Sequence, residues 1–155
     1  MNLSPPLEAY QKALRTALRL LRHRDRTSQE IRAKLSDRGF SGSEIDLVLA
    51  SLTRSGYIDD SRVADRAAER ALHEHSVGRL KLEHDLRARG ASDEQIERVL
   101  ADFDEPSETE RAEQLLRNRM KPTDSPQKSA AFLVRRGFDE EVVRTVVERV
   151  YDDFE

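Results

Sequence analysis

Two adjacent carboxylates, Asp59 and Asp60 in "YIDDSRVA", are residues whose type and spacing could do chemistry. Paired acids can share a proton in catalysis or hold a divalent cation. They can also serve helix ends. An aspartate just before a helix caps an orphan amide, worth about 1 kcal/mol, and one in the first turn meets the positive end of the helix dipole, worth about 0.3–1 kcal/mol. Their place in the chain favours the second use, because Gly56 closes one apolar-periodic segment and Val63, Ala64, Ala67, Ala68 and Ala71 open the next. Tyr57 and Ile58 then read as apolar groups that fix how the second segment leaves the first.

Other catalytic constellations are weak. His73 and His75 stand two apart on a helical pattern, so they point to different faces instead of forming an i, i+4 metal pair, and His84 lies one repeat further on. The chain has no cysteine, which rules out a thiolate zinc site, a cysteine nucleophile and a disulfide framework. No Gly-rich loop follows a strand, since no segment alternates as a strand. The expectation is a protein without catalytic residue, metal or cofactor.

The arginines carry more. From Arg15 to Arg38 eight basic residues stand against three acids, whereas from Asp93 to Glu113 nine acids stand against two arginines. Arg19, Arg22 and Arg26 recur at three- and four-residue intervals, Arg15 extends the row and Arg24 lies beside it; Arg135 and Arg136 form a second pair near the other end. A row of guanidiniums suits phosphates or a carboxylate-rich protein surface. The plainer alternative is a set of solvated helix faces written in an arginine-rich codon usage. Aromatic rings are not interleaved with these arginines, so recognition of a single strand by the chain alone is not supported.

The elements that position these side chains are helices throughout. Leu7, Tyr10, Leu14, Ala17, Leu18 and Leu21 follow the 3.6-residue period, with Ser4 and Pro5–Pro6 as a start. Thr27 with Glu30, Ser41 with Glu44, Ser92 with Gln95 and Ser107 with Glu110 have capping-box spacing. Three stretches lie on one another without gaps: "TSQEIRAKLSDRGFSGSEIDLVLASL", "GRLKLEHDLRARGASDEQIERVLADF" and "SPQKSAAFLVRRGFDEEVVRTVVERV". Leu35, Leu86 and Leu133 coincide, as do Gly39, Gly90 and Gly137, each placed where one helix reverses into the next and a left-handed residue is needed. Another helical stretch precedes each.

The fold class expected is therefore all-α, with three tandem three-helix modules (residues 1–57, 58–105 and 106–155) stacked into an elongated, curved array. Gly39, Gly56, Asp59, Asp60, Gly90 and Gly137 mark its junctions. Ala91 stands where the other repeats carry phenylalanine, and Pro122 and Pro126 make a bent or flexible connection inside the third module. The N-terminus lacks the basic start and apolar run of a signal peptide, and no apolar stretch approaches the roughly 20 residues of a membrane helix, so a cytoplasmic protein without a membrane partner is expected.

The runs "ALRLLRHRDRTSQEIRAKLSDRGF", "VLASLTRSGYIDDSRVA" and "GRLKLEHDLRARG" resemble the RecX family of bacterial recombination regulators, over nearly the whole chain. The resemblance implies a monomeric helical protein that binds the RecA–single-stranded DNA filament along its groove, reaches DNA through that filament, and mostly inhibits its ATPase and strand exchange. The arginine row would then be the binding face. The competing expectation is a helical nucleic-acid-binding module acting independently of RecA.

Overall fold

The structure, a computed structural model, describes residues 5–74, 77–103, 107–121 and 123–153. Among them every element is a helix: α1 (Pro5–His23), α2 (Ser28–Asp37), α3 (Gly42–Arg54), α4 (Asp60–Glu74), α5 (Arg79–Ala88), α6 (Asp93–Ala101), α7 (Glu108–Arg119), α8 (Pro126–Arg135) and α9 (Glu140–Asp152). All four capping boxes close, each hydroxyl taking the amide three residues on while Glu30, Glu44, Gln95 or Glu110 reaches back to the cap amide. Ser125 and Asp139 cap α8 and α9, and Pro126 opens α8, where a residue without N–H costs nothing. The expected start at Ser4, the second module boundary at Glu105–Pro106, and Pro122 fall outside the described residues.

By compactness the chain divides differently from its repeats, into Met1–Val63 with Arg89–Ala91, and Ala64–Ala88 with Ser92–Glu155. In the first unit α1 buries Ala13 and Ala17 completely. Two methyl groups one turn apart keep that side of α1 thin, and it packs on α3, where Val48, Leu49 and Leu52 join Ile31, Leu35 and Ile45 in one core. Each fully buried leucine or isoleucine there contributes about 1.5–3 kcal/mol. Ile58 belongs to this core, but Tyr57 is 58% exposed and lies outside it. The reason is local. After the turn at Gly56 (φ 77°), the Ile58 amide bonds back to the Leu52 carbonyl at 3.2 Å, which ties residue 58 onto the end of α3.

In the second unit Ala112 and Leu116 of α7, Leu133 of α8 and Val143, Val146 and Val150 of α9 form a core with Phe138. A buried cation lies near it in sequence. The Arg111 guanidinium sits 4.1 Å from the centre of the buried Phe103 ring and donates to the Phe103 carbonyl at 2.9 Å. The ring and the carbonyl together hold this cation inside the fold.

The junction residues build one joint twice. In the first unit Asp60 accepts the Ser28 amide at 2.7 Å and the Ser28 hydroxyl, while the Thr27 hydroxyl donates to the Arg89 carbonyl. In the second, Glu108 accepts the Arg79 amide at 2.8 Å, while the Gly78 amide donates to the Arg136 carbonyl at 2.8 Å. Residues 28 and 79 coincide in the repeat frame, as do 27 and 78, and 89 and 136. A carboxylate on the first residue of one helix triplet thus caps the middle helix of the triplet before it, and the arginine–glycine turn closes over the same helix start.

Asp59 and Asp60 therefore work at two helix ends. Asp59 accepts the Arg62 amide at 3.0 Å and caps α4. Asp60 stands in the first turn of α4, as its spacing predicts, but both its oxygens are taken up by Ser28 at the start of α2.

Candidate functional site

Helix α1 has a chemically divided surface. Ala13 and Ala17 are buried, while Arg15, Arg19 and Arg22 are exposed. At about 100° per residue these three guanidiniums lie within roughly 60° of one another, spread over roughly 10 Å of helix. Among the described residues none of the three makes an ion pair or side-chain hydrogen bond. They form a short cationic ridge, open to a partner.

Arg24 and Arg26 do not extend it. Helix α1 ends at His23, so the spacing that would continue the row no longer follows a helix. Arg24 turns onto Glu30 at 2.8 Å, and Arg26, half-buried, donates through Nε to the Leu20 carbonyl at 3.3 Å. Both guanidiniums serve the α1–α2 connection, and the ridge is Arg15, Arg19 and Arg22.

Glu30 is the centre of that connection. Its carboxylate takes the Thr27 amide at 2.8 Å, Arg24 at 2.8 Å and Arg89 at 3.4 Å. Burial alone would raise its pKa, but the Thr27 amide and the two guanidiniums outweigh burial and hold it below the ordinary glutamate value. A depressed carboxylate contributes stability that is present above the unfolded pKa, about 4.3, and is lost as pH falls through the folded one. Glu30→Gln keeps the cap, as Gln95 does in α6, but loses both ion pairs. The thermal midpoint of this variant should lie below that of the parent at pH 6, and the gap should close as pH falls below about 4. A gap constant with pH would mean that the ion pairs carry no stability.

The other arginine pair is also split. Arg135 is exposed, whereas Arg136 is half-buried with its guanidinium 5.4 Å from the centre of the Phe132 ring. Arg119, from the end of α7, lies 5.6 Å from the same ring. Phe132 stands one helical turn before Arg135 and Arg136 in the sequence, and packing adds Arg119 of α7 to the same ring. The i, i+3 and i, i+4 spacing of Phe132 with Arg135 and Arg136 could have signalled the ring, whereas Arg119 sits thirteen positions from it on a different helix.

Of the histidines, His73 and His84 are exposed and His75 lies outside the described residues. Among the described residues no group of three or more His, Cys, Asp or Glu could hold a metal ion, and no helix is long and apolar enough to cross a membrane.

Residues 9–52, covering most of α1–α3, match the family model described as RecX, first three-helix domain. Across most of its length the chain is 36% identical, over 141 residues, to the regulatory protein RecX of Mycobacterium sp. (strain JLS), covering 84% of this chain and 76% of that one. The chain belongs to the RecX family. The RecX of Trichlorobacter lovleyi is similar at 34% over 142 residues, with 86% of this chain and 92% of the relative covered. The crystal structure of RecX from Lactobacillus salivarius superposes with a TM-score of 0.76 at 18% identity, over 92% of this chain and 97% of that one. That likeness concerns the fold: an all-α array of helix triplets is the architecture of RecX. The relatives carry the name of regulatory proteins, which places this chain among regulators by family.

Proposed function

We propose that this chain binds the RecA filament on single-stranded DNA along its groove and restrains it, chiefly by slowing ATP hydrolysis and strand exchange. The observation that carries the reading, beside family membership, is the ridge of Arg15, Arg19 and Arg22, three exposed cations without an ionic partner among the described residues. Guanidiniums left open on a rigid helix suit a phosphate backbone or an acidic protein face. Repeated helix triplets offer several weak contacts to a polymeric partner, and such contacts add through effective concentration. No catalytic residue is required, because a bound regulator acts by favouring one filament state over another.

The same ridge also favours a second reading, a nucleic-acid-binding module that acts without RecA. One experiment separates them. The protein should co-sediment with RecA on single-stranded DNA and slow the RecA ATPase at substoichiometric amounts. Unchanged sedimentation and hydrolysis would overturn the first reading, and steeply salt-dependent binding to bare DNA alone would favour the second.

A further inference from the structure

The cleft between the end of α7 and α8 has a volume of about 530 Å³, within the range of small-ligand sites. Leu116, Met120 and Phe132 give it an apolar wall, and Arg119, Lys121 and Arg135 stand around it. Its charge is one-sided. The lining carries four cations, Arg119, Lys121, Lys128 and Arg135, against one carboxylate, Asp124. That carboxylate is already engaged, by the Lys128 ammonium at 2.5 Å and the Lys121 amide at 2.8 Å. The polar groups behind it are also satisfied, since Tyr151 donates to the Asp124 carbonyl at 2.9 Å and lies 2.9 Å from the Ser129 hydroxyl. Among the described residues the side chains of Arg119, Lys121 and Arg135 make no ion pair, and although the Arg119 guanidinium lies over the Phe132 ring, from which a base would have to move it aside, no carboxylate neutralises these three cations.

We propose that this cleft takes one nucleotide of a single-stranded nucleic acid, its base against Phe132 and Met120 and its phosphate between Arg119, Lys121 and Arg135. A ring bordered by guanidiniums is a surface on which bases of any identity stack, by π contact and by cation–π attraction. A polyphosphate finds less here than a strand does. The α8 start offers it little backbone N–H, because Pro126 has none and the Lys128 amide is held by Ser125 at 3.2 Å. An acidic peptide would meet the charge but would leave the aromatic wall unused.

The site lies on α7 and α8, apart from the α1 ridge in sequence, and the proposal does not depend on RecA. Its test uses the protein alone with a short fluorescent oligothymidylate at low salt, followed by anisotropy. Phe132→Leu should weaken binding roughly 5- to 150-fold, the range found for stacking one base. Because Phe132 also packs on the core, the exposed variants Lys121→Ala and Arg135→Ala give a second reading, and each should lower the slope of log affinity against log salt by about 0.7. Competition by oligoglutamate as effective as by unlabelled oligothymidylate would overturn the assignment in favour of an acidic partner. Equal competition by thymidine monophosphate, per nucleotide, would replace the strand with a free nucleotide. Absence of binding, or binding untouched by all three variants, would also overturn it.

Discussion

Gly137→Ala should lower the thermal midpoint by about 5–15 °C, while the same change at Gly39 should lower it by only a few degrees. Both glycines turn a helix end at positive φ, 81° and 85°, where a Cβ costs about 1–2 kcal/mol in either case. They differ in what lies outside. A Cβ on Gly39 meets nothing within 4 Å, whereas one on Gly137 comes 2.5 Å from the Lys81 backbone nitrogen and 2.8 Å from its Cα. Those are atoms of helix α5, which cannot move aside as a side-chain end can. The turn would have to lift, and with it the bonds from the Gly78 amide to Arg136 and from the Leu80 amide to Gly137, at 2.8 and 3.1 Å. Overpacking of this kind adds about 1–3 kcal/mol to the φ cost. Thermal unfolding of the two variants beside the parent measures the joint directly, and equal shifts would show that it holds nothing.

How much of this was legible in the sequence depends on the range of each interaction. The capping boxes were readable because both partners lie within one turn, as Ser41 and Glu44 do. The repeat frame was readable because each triplet answers the same packing problem with the same leucine and glycine. The joint was not. Ser28 finds Asp60 and Thr27 finds Arg89 only after the helices have packed, 32 and 62 positions apart, although the coincidence of 28 with 79 and 27 with 78 lets one joint be inferred from the other. Periodicity also extends past the helix that produces it. Arg26 fits the row of Arg19 and Arg22 in spacing, yet the helix stops at His23 and the side chain turns back to Leu20. Tyr57 and Ile58 look alike in the sequence, and a single backbone bond to Leu52 decides that only Ile58 is buried.

Reversing the whole ridge, with Arg15→Glu, Arg19→Glu and Arg22→Glu together, should weaken binding to the RecA filament by about 100-fold while leaving the thermal midpoint close to that of the parent. Each exposed charge contact contributes up to about 1 kcal/mol, and reversal adds repulsion to the lost attraction, so three reversed charges amount to about 3 kcal/mol, or two decades of affinity. Stability should survive because all three side chains are exposed and, among the described residues, none has an ionic partner to leave behind. Raising the salt should narrow the gap between parent and variant, since contacts between exposed charges are screened over about 8–10 Å at 0.1–0.15 M. Arg98 supplies the control. It is also an exposed helix arginine, but Asp65 holds it at 2.8 Å, so Arg98→Ala should leave filament affinity unchanged. Filament affinity equal in parent and triple variant would reject the ridge as the binding face. Parallel losses on the filament and on bare single strands, with RecA adding nothing, would instead assign the ridge to the strand itself.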